Sequence, residues 1–176
     1  MIYNCSGMKW EIWKTAQTSK FLALSQRNIK RNMLIGEHLH TLDTKKRISL
    51  PAKFRKELGK KIIITRGLDR CLFIYSEKEW KKFAEKLEGL SFGKTDSRDF
   101  KRYFMGGASE IDIDGSGRIL IPDNLKELAD LKTKVVVTGV SERVELWDEE
   151  VWNKYKAGIE KKADQLAEKL GDVGMI

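Results

Sequence analysis

Two copies of a short motif, Asp-x-x-x-Arg, contain the residues of this chain that are best suited to binding chemistry. The first copy runs from Asp43 to Arg47 and the second from Asp114 to Arg118. The carboxylate of such a motif can brace a turn by accepting hydrogen bonds from turn amides or by pairing with the arginine. The guanidinium can instead bind a phosphate or a guanine edge with two parallel hydrogen bonds. Each motif therefore has a structural interpretation and a ligand-binding one.

The charges around the two motifs are very different. Residues 43–61 hold eight lysines and arginines against Asp43 and Glu57, which leaves a net charge of +6 in that segment. Residues 114–126 hold two basic and two acidic side chains, which sum to zero. A basic surface confined to one place indicates an anionic partner, although a solvated basic face remains the alternative.

Other binding or catalytic patterns are weak. Residues 112–123 resemble a calcium loop, but the twelfth position is Asp123 rather than Glu and Pro122 precedes it. His38 and His40 share one strand face and could supply two metal ligands, but a packing or surface role is favoured. No nucleophile elbow, Walker loop or dinucleotide fingerprint occurs in the sequence. We therefore expect no enzyme, cofactor, metal or small-molecule substrate.

The motifs belong to an internal repeat. The Asp, Arg and Pro residues of residues 42–51 recur in the same order in residues 113–122, and Trp80 recurs as Trp152 in nearly the same register. The apolar segments between these points also match in order. Such extended agreement indicates a duplicated unit.

Each unit has the same predicted elements. A short strand leads into the motif, a second strand follows, and proline at 51 or 122 begins a short helix. Two β-branched or aromatic strands and an amphipathic helix complete the unit. Because four short strands leave large open edges, we expect the two units to complete one another as an interleaved, pseudo-two-fold barrel.

In its motifs and repeat the chain resembles the MraZ family, in which each half of a protein is similar to the AbrB and SpoVT swapped-hairpin fold. The resemblance rests on Asp43–Arg47, Asp114–Arg118, the repeat length and the closing helices, and it covers residues 33–163. It implies an α+β, mainly β fold in which two tandem AbrB-like β-α-β repeats form a double-psi, swapped-hairpin barrel with flanking helices. It also implies binding to double-stranded promoter DNA upstream of a division and cell-wall gene cluster, by a ring-shaped homo-oligomer.

Basic residues at the first motif are the predicted DNA-binding face: Lys45, Lys46, Arg47, Lys53 and Arg55. Asp43, Asp114 and Arg118 are predicted to have structural roles in the turns. The alternative function is an AbrB-like protein-interaction module, similar to an antitoxin, without an operator of its own.

The predicted organisation has four parts. The first repeat spans 33–88, the connection 89–107, and the second repeat with its closing helix 108–170. Residues 1–32, with net charge +5, have no counterpart in the family pattern. They form an extension interpreted as a mis-assigned start, a mobile basic arm or a targeting segment.

The apolar runs and the cysteines of the chain indicate where in the cell the protein acts. No apolar run approaches the roughly 20 residues of a membrane span. Two cysteines, Cys5 and Cys71, form no disulfide framework. We expect a cytoplasmic, nucleoid-associated protein.

Overall fold

A computed structural model describes residues 33–172 of the chain. The predicted N-terminal extension, residues 1–32, lies outside the described residues. Within 33–172 there are eight strands: β1 Leu34–Thr41, β2 Arg47–Ser49, β3 Lys61–Arg66, β4 Leu72–Ser76, β5 Ser109–Asp112, β6 Arg118–Leu120, β7 Lys134–Ser141 and β8 Arg143–Asp148. The same residues form six helices: α1 Ala52–Leu58, α2 Glu77–Glu88, α3 Thr95–Met105, α4 Asp123–Leu128, α5 Glu149–Glu160 and α6 Ala163–Asp172. No helix among them is long and apolar enough to cross a bilayer.

The strands exchange partners between the repeats. Six of them form an antiparallel sheet in the order β1-β7-β8-β4-β3-β5, so that β1 of the first repeat pairs with β7 of the second. In the reciprocal pairing, β5 of the second repeat pairs with β3 of the first. Strands β2 and β6 form a separate two-stranded ribbon centred on Ile48 opposite Ile119. Each repeat therefore completes the sheet of the other.

Alternation along the central strands creates two hydrophobic cores. On β4, Leu72 and Ile74 face one core and Phe73 and Tyr75 face the other, because successive strand residues point to opposite faces. The first core contains the ribbon, α1 and α4, with Ile48 fully buried. The second core is mainly aromatic and lies under α2, α3 and α5.

The short helices begin where the sequence predicts. Pro51 and Pro122 are the residues directly before α1 and α4, with φ of −52° and −58°. That dihedral suits the start of a helix, and the missing N–H costs nothing there.

The predicted connection contains a helix that the sequence analysis did not identify. Helix α3 occupies Thr95–Met105 and is anchored by two hydrogen bonds to the first repeat. Thr65 Oγ1 donates to the Phe104 carbonyl at 2.7 Å, and Tyr103 Oη donates to the Gly67 carbonyl at 2.7 Å. Residues 95–105 thus cover the aromatic core of the first repeat.

The closing apolar stripe of the second repeat is divided between two helices. Helix α5 ends at Glu160, and α6 begins at Ala163 after a short turn. Trp152 packs against the aromatic core, whereas Leu166 and Leu170 of α6 are exposed. The two parts of the stripe therefore have different environments.

Candidate functional site

The first motif forms a turn braced by its own aspartate. Asp43 Oδ1 accepts hydrogen bonds from the amides of Lys45 at 2.8 Å and Arg47 at 2.9 Å. Asp43 Oδ2 accepts from Arg47 Nε at 2.9 Å and lies 2.8 Å from Arg47 Nη2. The brace holds the guanidinium in one orientation, and a guanidinium has two further N–H groups on Nη1.

The second motif forms a turn with the same hydrogen bonds. Asp114 Oδ1 accepts from the amides of Ser116 at 2.8 Å and Arg118 at 2.9 Å, and Oδ2 accepts from Arg118 Nε at 2.9 Å. The exposed fractions of the two arginine side chains are also alike, 30% for Arg47 and 33% for Arg118. The two arginines are therefore geometrically equivalent.

These hydrogen bonds lower the pKa of both aspartates. The backbone amide of the arginine in each motif makes the largest contribution to the lowered pKa of Asp43 and of Asp114. The arginine side chain lowers each pKa further, because an opposite charge stabilises the carboxylate.

Each turn packs against the other repeat. Leu50 N donates to the Gly117 carbonyl at 3.0 Å, and Ile121 N donates to the Lys46 carbonyl at 2.9 Å. Lys46 and Gly117 occupy equivalent positions in the two motifs, and both have positive φ, 60° and 77°. Because β2 and β6 pair directly, the two turns lie at opposite ends of one short ribbon.

The contacts at these equivalent positions differ. Lys46 Nζ forms an ion pair with Asp123, the first residue of α4 in the second repeat. Gly117 lies beneath the Arg55 guanidinium of α1, so close that a Cβ at this position would collide with it. The second turn therefore has a glycine where the first has a charged side chain.

The predicted DNA-binding residues fall into two groups. Lys45, Lys46 and Arg47 lie in the first turn, next to α4, and Lys45 is exposed. Lys53 and Arg55 lie on α1, where Lys53 is exposed and Arg55 is half-buried against Gly117. Arg55 is thus beside the second turn, whereas Lys53 lies two residues before it on the same helix and is exposed.

Potential metal ligands near the turns are already engaged. Among residues 33–172, no group of three or more His, Cys, Asp or Glu side chains is arranged to hold a metal ion. Asp114 is occupied by its turn and Asp123 by Lys46. His38 packs edge-on to Phe54 with ring centroids 5.3 Å apart, and the His40 ring lies 6.5 Å from His38.

Sequence reasoning missed two residues that shape this surface, Asp123 and Gly117. The roles of both residues depend on contacts between the repeats, and these contacts are not evident from either motif alone. The repeat alignment contained a signal, because it places Lys46 opposite Gly117 in two turns of identical length. A glycine at one of two equivalent positions suggests a positive φ at both.

Comparison with known proteins identifies related sequences along the described part of the chain. A family model with the description "MraZ protein, putative antitoxin-like" matches residues 33–103 and again residues 104–172. A protein of Thermoanaerobacter sp. named "Transcriptional regulator MraZ" is 48% identical over 143 residues, covering 81% of this chain and 100% of the relative.

Two further relatives have the same name. The protein of Carboxydothermus hydrogenoformans is 47% identical over 140 residues, covering 80% of this chain and 98% of its own length. That of Caldanaerobacter subterraneus subsp. tengcongensis is 49% identical over 138 residues, covering 78% of this chain and 96% of its own length. With two consecutive family matches across residues 33–172 and near-complete coverage of these relatives, the chain belongs to the MraZ family.

Proposed function

We propose that the chain is a sequence-specific DNA-binding transcriptional regulator and not an enzyme. The shared name of the relatives supports regulation of transcription. The observation that carries the proposal is the β2–β6 ribbon, which has a braced, half-exposed arginine at each end. An arginine held by a carboxylate is pre-oriented, so less rotamer entropy is lost when it binds a phosphate or base edge.

The DNA face in this proposal consists of Lys45, Lys46, Arg47, Lys53 and Arg55. Arg47 reads a base edge, and the exposed lysines supply attraction to phosphates that does not depend on sequence. The ion pair of Lys46 with Asp123 is exposed on both sides, so exchanging Asp123 for a phosphate costs little. Arg55 belongs to this face and also covers the second turn, because its guanidinium lies over Gly117.

The repeats and their assembly complete the proposal. Strand exchange between β1 and β7 and between β3 and β5 supports the double-psi, swapped-hairpin barrel built from repeats at 33–88 and 108–170, joined by 89–107. One protomer offers few phosphate contacts, so a ring-shaped homo-oligomer on repeated promoter boxes gains about 10²–10⁴ in avidity. The target is the promoter of a division and cell-wall gene cluster, and the protein acts in the cytoplasm at the nucleoid.

A second candidate is an antitoxin-like protein-interaction module without an operator. The description of the matching family model, which includes the words "antitoxin-like", favours it. The two functions differ in what the basic face binds. A regulator prefers its promoter over scrambled DNA, whereas an interaction module binds both DNAs weakly and equally.

Fluorescence anisotropy tests the proposal directly. The full chain is titrated onto its own promoter DNA and onto a scrambled duplex across a salt series, with Arg47→Ala as the site variant and Lys154→Ala as the matched control. Lys154 is exposed on α5 and belongs to neither turn. We expect the unaltered chain and Lys154→Ala to prefer the promoter and to bind it with a steep salt dependence. We expect Arg47→Ala to lose this binding. Equal, weak binding to both duplexes by all three proteins contradicts the proposal.

A further inference from the structure

An open groove lies between helix α2 and the edge strand β5. Its floor is Ile63, and its apolar walls are Trp80 and Ala108. Its volume is about 270 Å³, whereas a cavity of roughly 150 Å³ is enough to hold benzene. The groove can therefore accept an aromatic side chain.

The rim of this groove has a small excess of carboxylates over lysines. Glu77, Glu110 and Lys81 line it, and the pKa of the neighbouring Lys61 is raised, first by its hydrogen bond to Glu110 and then by the charges of Asp112 and Glu77. Lys61 pairs with Glu110 at 2.8 Å, which leaves the carboxylates in excess around that lysine. A basic residue next to an apolar anchor is the complementary ligand.

Internal symmetry explains why the groove is open in the first repeat. At the equivalent place in the second repeat, Lys156 of α5 pairs with Glu37 of β1 at 3.0 Å and bridges helix and strand. In the repeat alignment, Ala84 of α2 corresponds to Lys156, and Ala108, directly before β5, corresponds to Glu37. Two alanines cannot form that bridge, so Trp80 and Ile63 line an open space.

A preformed apolar projection lies elsewhere on the same chain, between α2 and α3. Phe92 is 80% exposed, the highest value among the exposed large apolar side chains of the described residues. Its backbone is fixed, because Arg98 Nη1 donates to the carbonyls of Phe92 at 2.9 Å and Gly93 at 3.1 Å. Lys101 Nζ donates to the Leu90 carbonyl at 3.1 Å. A rigid, exposed aromatic residue has the properties of an interface anchor.

We propose that Phe92 of one copy of the chain inserts into the groove at Ile63, Trp80 and Ala108 of a second copy. Exposed Lys94, which follows Phe92 closely in the sequence, then faces the Glu77 and Glu110 rim. Projection and groove are different surfaces of one chain, so the contact is head-to-tail, and each copy can use both surfaces. This inference rests on the self-association in the proposed function and names the surfaces that would meet.

Site-directed cross-linking between two variants, each with one reactive cysteine, tests the contact. Both carry Cys5→Ser; Cys71 is buried, and burial raises the pKa of its thiol, so it does not react. One variant has Ser91→Cys, next to the intact Phe92, and the other has Lys81→Cys on the groove wall. The two are mixed and treated with a short bismaleimide, and each is treated alone.

We expect a covalent dimer in the mixture at least 10-fold above either variant alone. Adding Phe92→Ala to the Ser91→Cys protein should abolish it, whereas adding Leu68→Ala should not, since Leu68 is also exposed, at 49%, but lies in another loop. A dimer from Ser91→Cys alone indicates a contact between two projections and overturns the proposal. The proposal is also overturned if the mixture gives no excess dimer, or if the dimer still forms when Phe92→Ala is present.

Failure here is distinguishable from failure of the proposed function. The cross-linking is done without DNA, and the same preparations are titrated with promoter and scrambled duplexes. Promoter preference without the mixture-specific dimer overturns only the Phe92 contact. The dimer without promoter preference overturns only the DNA-binding function.

Discussion

The turns Asp43–Arg47 and Asp114–Arg118 have the same backbone brace but different surroundings. In each, one aspartate accepts two amide hydrogen bonds, at 2.8 Å and 2.9 Å, and a third from the arginine Nε at 2.9 Å. Between its aspartate and arginine the first turn has a threonine and two lysines, whereas the second has a serine and two glycines. Duplication has thus retained the scaffold of the turn while its charge has diverged.

This comparison changes the meaning of the motif. Because each aspartate accepts hydrogen bonds from its own turn, its role is to hold the turn, and within the motif the arginine is the residue with N–H groups left for a ligand. Any difference in binding between the turns must come from Lys45, Lys46 and the α1 side chains.

The largest effect is expected from removing each arginine in turn. Arg47→Ala should weaken promoter binding about 10- to 100-fold per protomer, the range for loss of a bidentate base contact. Arg118→Ala should mainly lower the free energy of unfolding, by about 1–2 kcal/mol, through loss of hydrogen bonds in its turn. Fluorescence anisotropy measures the promoter affinity of both variants, and urea denaturation measures their free energy of unfolding. Equal loss of binding from two well-folded variants would show that the turns are functionally equivalent.

Substitutions at the two positive-φ positions, Gly117 and Lys46, should change the free energy of unfolding by different amounts. Gly117→Ala places a Cβ at φ 77° and against Arg55, so it should cost about 1–2 kcal/mol. Lys46→Gly should change the free energy of unfolding by less than about 1 kcal/mol. Glycine relieves the backbone strain at φ 60°, but it also increases the conformational entropy of the unfolded chain, and the two effects offset each other. Urea denaturation compares the two. A larger loss from Lys46→Gly would mean that the Asp123 ion pair, not the backbone, dominates.

A reciprocal exchange of charge should transfer part of the binding between turns. Lys45→Ser should reduce the slope of log affinity against log salt by about one unit, equally on promoter and scrambled DNA. Ser116→Lys, at the equivalent exposed position, should restore it if the second turn also reaches DNA. No change in slope from Ser116→Lys would place only the first turn on the duplex.

The smallest effect concerns acid stability and should be the same for both turns. The pKa of Asp43 and of Asp114 is lowered from 3.8, chiefly by the arginine amide. Each carboxylate therefore adds stability that is present above about pH 4 and is lost as the pH falls through the lowered pKa. Asp43→Asn and Asp114→Asn should each flatten the fall in urea midpoint as the pH drops below about 4. Flattening by only one variant would break the equivalence of the braces.

Local features of the fold were predictable because they depend on near neighbours in the sequence. Pro51 and Pro122 predict the starts of α1 and α4, and runs of β-branched or aromatic residues predict β3, β4, β7 and β8. Helix α3 was not predicted, because its polar, glycine-flanked sequence is stabilised by contacts to Thr65 and Gly67, which are distant in the sequence. A helix fixed by distant partners has little local signal.

The candidate site was only partly predictable for the same reason. The basic residues and both motifs are evident from the sequence, but the ion pair of Lys46 with Asp123 joins side chains of different repeats. The same is true of Arg55, which meets Gly117 only because β2 pairs with β6. The sequence therefore predicts one basic face, but it does not reveal that Arg55 lies over Gly117 of the second turn.

The duplication, the turn residues, the strand-forming segments and the concentration of positive charge at residues 43–61 are evident from the sequence alone. They are evident because hydrogen bonds within a turn and the residue pattern of a strand involve near neighbours in the chain. Tertiary structure is needed to show which strand completes which sheet and that both arginines share one ribbon. It is also needed to show that a groove lies beside Ala108 where Lys156 and Glu37 form a bridge in the other repeat. Those features depend on packing between residues of different repeats, where the small free energies of many contacts act together.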